Sequence, residues 1–209
     1  MKYHAVITGD IINFTRLDND KRQSLMAATE KLLKSWVAKP KDAEVFRGDS
    51  YQLVMDDIDN AISKSVQLIC WFKRNSELKT KNQLSSRVSV GIGAIAYKGK
   101  SVLDSDGEAF HQSGRYFDKM NGEEILTIKT TNEEINEQIA IILSFINLLI
   151  NQWSPKQAEV LYLACEGYTQ QKIAEALNLN QGAVNRRLKS ANWKEVEKGI
   201  NYIIKLVTK

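Results

Sequence analysis

The chain of 209 residues is 43% hydrophobic and 26% charged, an ordinary composition for a folded protein with one large or two small domains. Its net charge of +4 lies in residues 154–209, which hold nine Lys or Arg against five Asp or Glu, a bias that suits contact with phosphates. Cys70 and Cys165 stand in apolar stretches without a CxxC or Cys/His spacing, which excludes a disulfide framework and a typical zinc site.

Hydrophobic periodicity predicts nine elements before residue 153. We expect strands at 3–9, 43–47, 50–55, 86–96 and 124–128, and helices at 17–37, 57–74, 107–119 and 132–152. Gly48-Asp49 suggests a tight hairpin, and the polar stretch 75–86 suggests a solvated loop. Two βαβ-like halves around one antiparallel sheet predict an α+β fold, with a ferredoxin-like or palm domain over residues 1–130.

Residues 131–153 are predicted to form a connector helix with an acidic, capped first turn and a wide apolar surface. One face would pack on the sheet. A second face could pack on a partner subunit, which predicts a homodimer, or it could be buried between the two domains. The apolar run 139–150 is too short to cross a bilayer, which needs about 20 apolar residues. With no secretory leader at the start, we expect a cytoplasmic protein without a membrane partner.

Residues 154–209 are predicted to form an all-α helix-turn-helix domain. Ser154 precedes Pro155 as an N-cap, and Gly167 is placed to end the first helix. Thr169 is expected to cap a second helix, and residues 178–180 to form the turn before a third. The apolar residues Ile173, Ala174, Leu177, Leu179, Val184 and Leu188 fall where such a unit needs contacts.

Polar residues of the second and third helices predict contact with DNA, because amide side chains reach base edges and cations reach phosphates. The candidates are Gln170, Gln181, Asn185, Arg186, Arg187 and Lys189. The run "SPKQAEVLYLACEGYTQQKIAEALNLNQGAVNRRL" resembles the helix-turn-helix of LuxR-type regulators and of sigma-factor region 4. The alternative is a three-helix bundle used only for packing or dimerisation.

Two aspartates in the N-terminal domain form a second candidate site. Asp10 lies at the end of the first strand and Asp49 in the hairpin, so neighbouring strands would bring both carboxylates to one sheet edge. Two close carboxylates repel each other unless a cation neutralises them, and this predicts Mg²⁺ or Mn²⁺. A pair of this kind is typical of metal-dependent phosphoryl transfer.

The motifs "GDIINFT" and "FRGDSY" are similar to the two metal-binding motifs of class III nucleotidyl cyclases, and "SVGIGAI" and "GEAFHQSGR" resemble later segments of that family. The resemblance implies that Asp10, the Ile11 carbonyl and Asp49 bind the metal. It also places Asp104 near a purine-reading position and Arg115 at the position of a transition-state arginine. The chain departs from the family at Val45, where an adenine-reading lysine would stand, and at the ribose-orienting position, where it has His111.

The order of a "VITGDI…GDSYQ" domain and a C-terminal helix-turn-helix resembles the SatD family over nearly the whole chain, and this resemblance implies a regulatory role. We therefore expect a transcriptional regulator that binds DNA through residues 154–209 and a nucleotide through Asp104, His111 and Arg115. The alternative is a metal-dependent nucleotidyl cyclase or related phosphoryl-transfer enzyme coupled to the helix-turn-helix.

Overall fold

The computed structural model describes residues 2–76 and 83–208, so part of the loop predicted at 75–86 lies outside the described residues. The strands in these ranges are β1 (His4–Ile12), β2 (Ala43–Phe46), β3 (Ser50–Met55), β4 (Ser85–Gly93), β5 (Ile95–Tyr97), β6 (Asp106–Gly107) and β7 (Leu126–Lys129). The helices are α1 (Asn19–Trp36), α2 (Ile58–Arg74), α3 (Glu108–Lys119), α4 (Glu133–Asn151), α5 (Pro155–Cys165), α6 (Gln170–Ala176), α7 (Gln181–Ser190) and α8 (Trp193–Val207). None of these helices is both long and apolar enough to cross a membrane.

The fold is mixed α+β, with a five-stranded sheet in the order β2-β3-β1-β4-β7. β1 pairs antiparallel with both β3 and β4, whereas β7 pairs parallel with β4. The strand predicted at 86–96 is in fact two strands, because β4 ends at Gly93 and β5 leaves the sheet to pair with β6.

The central strand β1 is covered on both faces. Its alternate residues Ala5, Ile7 and Ile11 belong to the large core that includes α1 and α2. Val6 lies in a separate cluster on the other face, with Ala109 of α3. Burial on both sides explains why the strand reads as an almost continuous apolar run.

The loop between β2 and β3 is one residue longer than the predicted two-residue turn at Gly48-Asp49, because β2 ends at Phe46. Phe46 pairs with Ser50, which leaves a loop of residues 47–49. Arg47 and Gly48 both have left-handed backbones, with φ of 53° and 85°. Arg47 tolerates this conformation while its guanidinium packs 5.8 Å from the Phe46 ring centroid.

Helix α2 lies between the sheet and helix α5, and it contacts β1 and β4 as well as α5 and α8. Leu68, Ile69 and Phe72 are completely buried. Residues of α5 and α8, including Leu161 and Val196, belong to the same hydrophobic core as the sheet. The C-terminal helices therefore extend the core of the N-terminal part.

Helix α4 covers part of the outer edge of β7 through two buried asparagines. Asn147 accepts hydrogen bonds from the backbone N–H groups of Ile125 and Leu126, at 3.1 and 2.8 Å. Asn136 accepts one from the N–H of Thr130 at 2.8 Å. These side chains satisfy backbone groups that an edge strand otherwise exposes, which fixes α4 beside the sheet.

Lys73 is a buried cation at the junction of α2 and the C-terminal helices. It is 4% exposed, and its Nζ lies 3.5 and 3.4 Å from the carbonyl oxygens of Asn151 and Trp153. Burial lowers the pKa of Lys73 from 10.5 to about 8, while the neighbouring Cys70 acts in the opposite direction. The charged form is therefore costly in the folded protein at neutral pH.

We expect the free energy of unfolding of the wild type, relative to Lys73→Met, to rise by about 2.5 kcal/mol between pH 7 and pH 10. The folded state loses the Lys73 proton near pH 8 and the unfolded chain near pH 10.5, so the folded state binds fewer protons in this window. Urea unfolding at several pH values measures the difference. Lys31→Met, on the exposed face of α1, is the control. If the difference in free energy of unfolding between the wild type and Lys73→Met did not change with pH, the lowered pKa of Lys73 would be contradicted.

Candidate functional site

Local sequence signals define the start of each of the helices α5–α7. Ser154 and Gln157 form a capping box at the start of α5. The side chain of Thr169 accepts a hydrogen bond from the Lys172 N–H, and that of Asn180 accepts one from the Ala183 N–H. Satisfying the free N–H groups of the first turn in this way sets the boundary of each helix.

The end of α5 confirms the predicted glycine cap. Gly167 has a φ of 78°, and the N–H of Tyr168 bonds to the carbonyl of Leu163 at 3.2 Å. This is the bond pattern of a Schellman motif, which favours glycine at the left-handed position. Asn178 takes the equivalent backbone after α6, with a φ of 51°.

Helices α5–α7 share a small apolar cluster. Its buried members are Val160, Ile173, Ala174 and Val184. Packed against them are Leu163, Ala164, Leu177, Leu179 and Leu188. All six residues predicted to make the contacts of this unit belong to the cluster, because their spacing places them on the facing sides of short helices.

The outer surface of α7 carries polar side chains with free functional groups. The side chains of Gln181, Arg186 and Lys189 are exposed and form no hydrogen bond or ion pair with residues 2–76 or 83–208. Asn185 is partly buried, and Gln170 is exposed at the first turn of α6. Five of the six predicted DNA-contacting residues are therefore available to a ligand.

Arg187 differs from these five residues. Its side chain is 22% exposed, and its Nη1 donates to Glu159 Oε2 at 3.1 Å and to the carbonyl of Lys156 at 3.0 Å. These contacts tie α7 to α5. The helix is held again near its C-terminal end, where Trp153 Nε1 donates to the carbonyl of Ala191 at 2.9 Å.

In the N-terminal part, Asp10 is paired with an arginine from the adjacent strand. Asp10 and Arg87 lie opposite each other in the β1–β4 ladder. Arg87 Nε lies 3.1 Å from Asp10 Oδ1, and Nη2 lies 2.5 Å from Oδ2. The hydrogen bonds with Asp10 raise the pKa of Arg87 above its usual value, and the guanidinium neutralises the carboxylate. Sequence reasoning missed Arg87, because the pairing depends on strand register.

The glycine before Asp10 makes room for a buried tyrosine. A Cβ atom on Gly9 would meet Tyr51 Oη at 2.4 Å. The Tyr51 hydroxyl hydrogen-bonds with Ser86 Oγ at 2.6 Å, and Ser86 Oγ lies 2.5 Å from the Asp10 carbonyl. Burial raises the pKa of Tyr51. Parts of the "GDII" and "GDSY" motifs thus form a structural network beneath the candidate metal site.

Asp49 lies at the same end of the sheet as Asp10. Its backbone carbonyl accepts a hydrogen bond from the Ile11 N–H at 3.0 Å, and Ser50 Oγ lies 3.3 Å from its carboxylate. Across residues 2–76 and 83–208, no group of three or more His, Cys, Asp or Glu side chains is arranged to hold a metal ion. Because Arg87 engages both oxygens of Asp10, this site fits an ion pair better than a cation.

The three predicted nucleotide-binding residues lie on or before α3. Asp104 accepts a hydrogen bond from Ser101 Oγ at 3.2 Å. His111 Nε2 lies 2.8 Å from Asp106 Oδ1, and both side chains are at least half exposed. Arg115 is exposed, and the nearby Glu108 accepts a hydrogen bond from the backbone N–H of Ala94 at 3.2 Å.

Helix α3 lies close to the sheet at the GxG pattern of β4, which is formed by Gly91, Ile92 and Gly93. A Cβ atom on Gly91 would meet the carbonyl of Ala109 at 2.1 Å. Ser89 and Ser113 exchange hydrogen bonds between their hydroxyls and backbone carbonyls, at 2.8 and 3.0 Å. The GxG pattern therefore serves helix–sheet packing.

Comparison with known proteins identifies one family. The SatD family model matches residues 3–201. The chain belongs to the SatD family. No curated protein and no solved structure matches this SatD family chain.

Replacing Asp10 by Asn should lower the free energy of unfolding by about 1–3 kcal/mol, because Arg87 loses its charged hydrogen-bond acceptor. Urea unfolding measures the loss. Asp49→Asn is the matched control with a smaller expected effect, since Asp49 has no arginine partner among the described residues.

The same variants test the predicted metal. Melting temperatures of the wild type and Asp10→Asn are measured with and without millimolar Mg²⁺ or Mn²⁺. Two results together would establish the cation site and contradict the ion-pair assignment. Without metal, Asp10→Asn would melt at a higher temperature than the wild type. With metal, the melting temperature of the wild type would rise and that of Asp10→Asn would not.

Proposed function

We propose that this SatD family protein is a cytoplasmic DNA-binding transcriptional regulator in which α5–α7 form the helix-turn-helix. The observation that carries the proposal is the surface of α7, where the side chains of Gln181, Arg186 and Lys189 are exposed and have no hydrogen-bond or ion-pair partner among the described residues. Side chains held free on a well-anchored helix are suited to an external ligand, and their chemistry suits DNA.

The arrangement of α6 and α7 supports this proposal. α6 ends at Ala176 and α7 begins at Gln181, so only four residues separate two short helices that pack through the Val184 cluster. In helix-turn-helix proteins the second helix of such a pair enters the major groove, and the preceding helices support it. By this comparison α7 is the recognition helix.

The chemistry of the α7 surface suggests separate roles for its residues. Arg186 and Lys189 are cations that can neutralise phosphates. Gln181 and Asn185 carry amides, which can donate to and accept from a base edge in the major groove. Arg187 is assigned a structural role instead, since its guanidinium already binds Glu159.

The N-terminal domain is proposed to be ferredoxin-like and related to the nucleotidyl cyclase palm. The strand order β2-β3-β1-β4, with antiparallel neighbours, is the order that two βαβ halves produce in that fold. A nucleotide ligand remains a proposal for this domain. The exposed guanidinium of Arg115 on α3, which has no partner within the part of the chain that the structure describes, supports an anionic ligand.

The contacts of α2 link this domain to the DNA-binding helices. Gln67 Nε2 donates to Glu166 at 2.9 Å, and Arg74 packs 4.1 Å from the ring centroid of Tyr162. A ligand that shifts α2 would therefore act directly on α5. The proposed regulator would then have its ligand-binding domain and its DNA-binding helices α5–α7 packed directly against each other.

The alternative function, a metal-dependent nucleotidyl cyclase, needs Asp10 and Asp49 to share a cation. The pairing of Asp10 with Arg87 favours the regulator. Incubation with Mg²⁺ or Mn²⁺ and each nucleoside triphosphate, followed by product analysis, tests the enzyme directly. Turnover that Asp49→Asn abolishes would support the enzyme.

Arg186→Ala should weaken binding to all duplexes and reduce the slope of log K against log salt by about 1, as expected for one lost phosphate contact. The measurement is a salt titration with a random-sequence duplex. Asn185→Ala should instead relax base preference in a selection from a randomised DNA pool.

Two controls separate these effects from instability. Arg187→Ala should lower the melting temperature, because it breaks the contact with α5, whereas Arg186→Ala should not. Lys31→Ala, on the exposed surface of α1, should change neither DNA affinity nor stability. Wild-type protein without salt-dependent affinity for any duplex would contradict the proposal and leave α5–α7 as a packing or protein-binding bundle.

A further inference from the structure

One face of α4 exposes three large apolar side chains to solvent. Ile141, Phe145 and Leu148 are 63%, 66% and 60% exposed. Spacings of four and three residues place them on the same side of the helix. The opposite side of α4 packs on the core, so this strip is a second apolar surface, which the rest of residues 2–76 and 83–208 leaves uncovered.

The strip is also free of charge. No Asp, Glu, Lys or Arg occurs from Gln138 to Gln152, which spans four turns of α4. The exposed surface of α8 is different, since it carries Lys194, Glu195 and Lys198. A neutral, apolar strip can meet an identical strip without repulsion between like charges.

A groove of about 890 Å³ runs beside the strip, between α4, β7 and the end of α3. On this side α4 presents Ala140 and Ser144, two small residues one turn apart. Phe145 and Leu148 form the adjoining wall. The large side chains of the strip therefore lie beside a groove, so a second copy of the same surface can place its large side chains in this groove.

We propose that this face of α4 is the interface between two copies of the chain, with the two helices antiparallel across a two-fold axis. An axis between Ser144 and Phe145 sets Phe145 of each copy into the groove beside Ser144 of the other. It sets Ile141 against Leu148 at both ends of the strip. Each contact then occurs twice, as an isologous interface demands.

The charges beyond the strip fit the same arrangement. The first turn of α4 carries the exposed Glu133 and Glu134. The first charge after the C-terminal end of α4 is the exposed Lys156, in the first turn of α5. Antiparallel pairing brings the acidic first turn of each α4 towards the segment of the other copy that carries Lys156, whereas parallel pairing would set the two acidic first turns side by side.

The interface has a consequence that rests on the proposed function. α4 ends at Asn151 and α5 begins at Pro155, so fixing two copies of α4 also fixes two sets of α5–α7. A two-fold pair of recognition helices can read two half-sites of one duplex. Dimer formation itself is measured without DNA.

Light scattering after gel filtration, over a range of protein concentrations, tests the interface. The wild type is expected to be a dimer. Phe145→Glu should weaken dimerisation at least about thirtyfold, since it removes a central aromatic anchor and sets two carboxylates near the axis. Tyr97→Glu is the matched control, because Tyr97 is 61% exposed on β5 and should leave the dimer intact.

A cross-linking experiment tests the position of the axis. Ser144→Cys should form a disulfide-linked dimer under mild oxidation, because the two copies of this residue lie near the axis. Ser24→Cys, on the exposed face of α1, and the wild type with its native cysteines should not.

The interface would be overturned if the wild type were a monomer or if Phe145→Glu left the dimer intact. It would also be overturned if Ser144→Cys, Ser24→Cys and the wild type cross-linked equally. A dimer that lacks affinity for DNA would overturn only the proposed function.

Discussion

The packing of α2 between the sheet and α5 is the constraint on which the placement of the other elements depends. Leu68, Ile69 and Phe72 are completely buried, and the helix contacts strands β1 and β4 and helices α5 and α8. Two of its polar residues add contacts: Gln67, in the middle of the helix, bonds to Glu166, and Lys73, in its last turn, bonds to the carbonyls of Asn151 and Trp153. Because the core is continuous through α2, the DNA-binding unit proposed here is fixed to the sheet and does not hang from a linker.

This packing gives the α7 surface its proposed role. α7 is joined to α5 by Arg187 and to the end of α4 by the Trp153 indole. Those two helices in turn rest on α2 and on the edge of β7. The backbone of α7 therefore has a defined orientation relative to the sheet.

The aspartate motifs have a structural explanation that does not need catalysis. Gly9 makes space for Tyr51, the Tyr51 hydroxyl joins the two neighbouring strands through Ser86, and Arg87 neutralises Asp10. A carboxylate at a strand end is equally compatible with a cation or with an arginine when only its own segment is known. The neighbour that reaches the Asp10 carboxylate is Arg87, from the adjacent strand.

The sequence by itself determined the elements that local physics controls. Helix starts at Ser154, Thr169 and Asn180, and the glycine cap at Gly167, follow from hydrogen bonds within a few residues. The apolar cluster of α5–α7 followed from spacing along short helices. The α8 helix was not predicted, although its buried residues Val196, Ile200 and Ile203 follow a helical spacing. The β5–β6 pair was not predicted because strands of three and two residues are too short to leave a pattern.

Only the tertiary structure decided which side chains are free and which are paired. Asp10 meets Arg87, 77 positions away, because of the β1–β4 register, and Arg187 meets Glu159 because α5 and α7 pack together. Neither pairing leaves a local pattern in the sequence. The physical reason is that strand register and helix packing are set by the sum of many distant contacts, whereas caps and periodicity are set by residues within one or two turns.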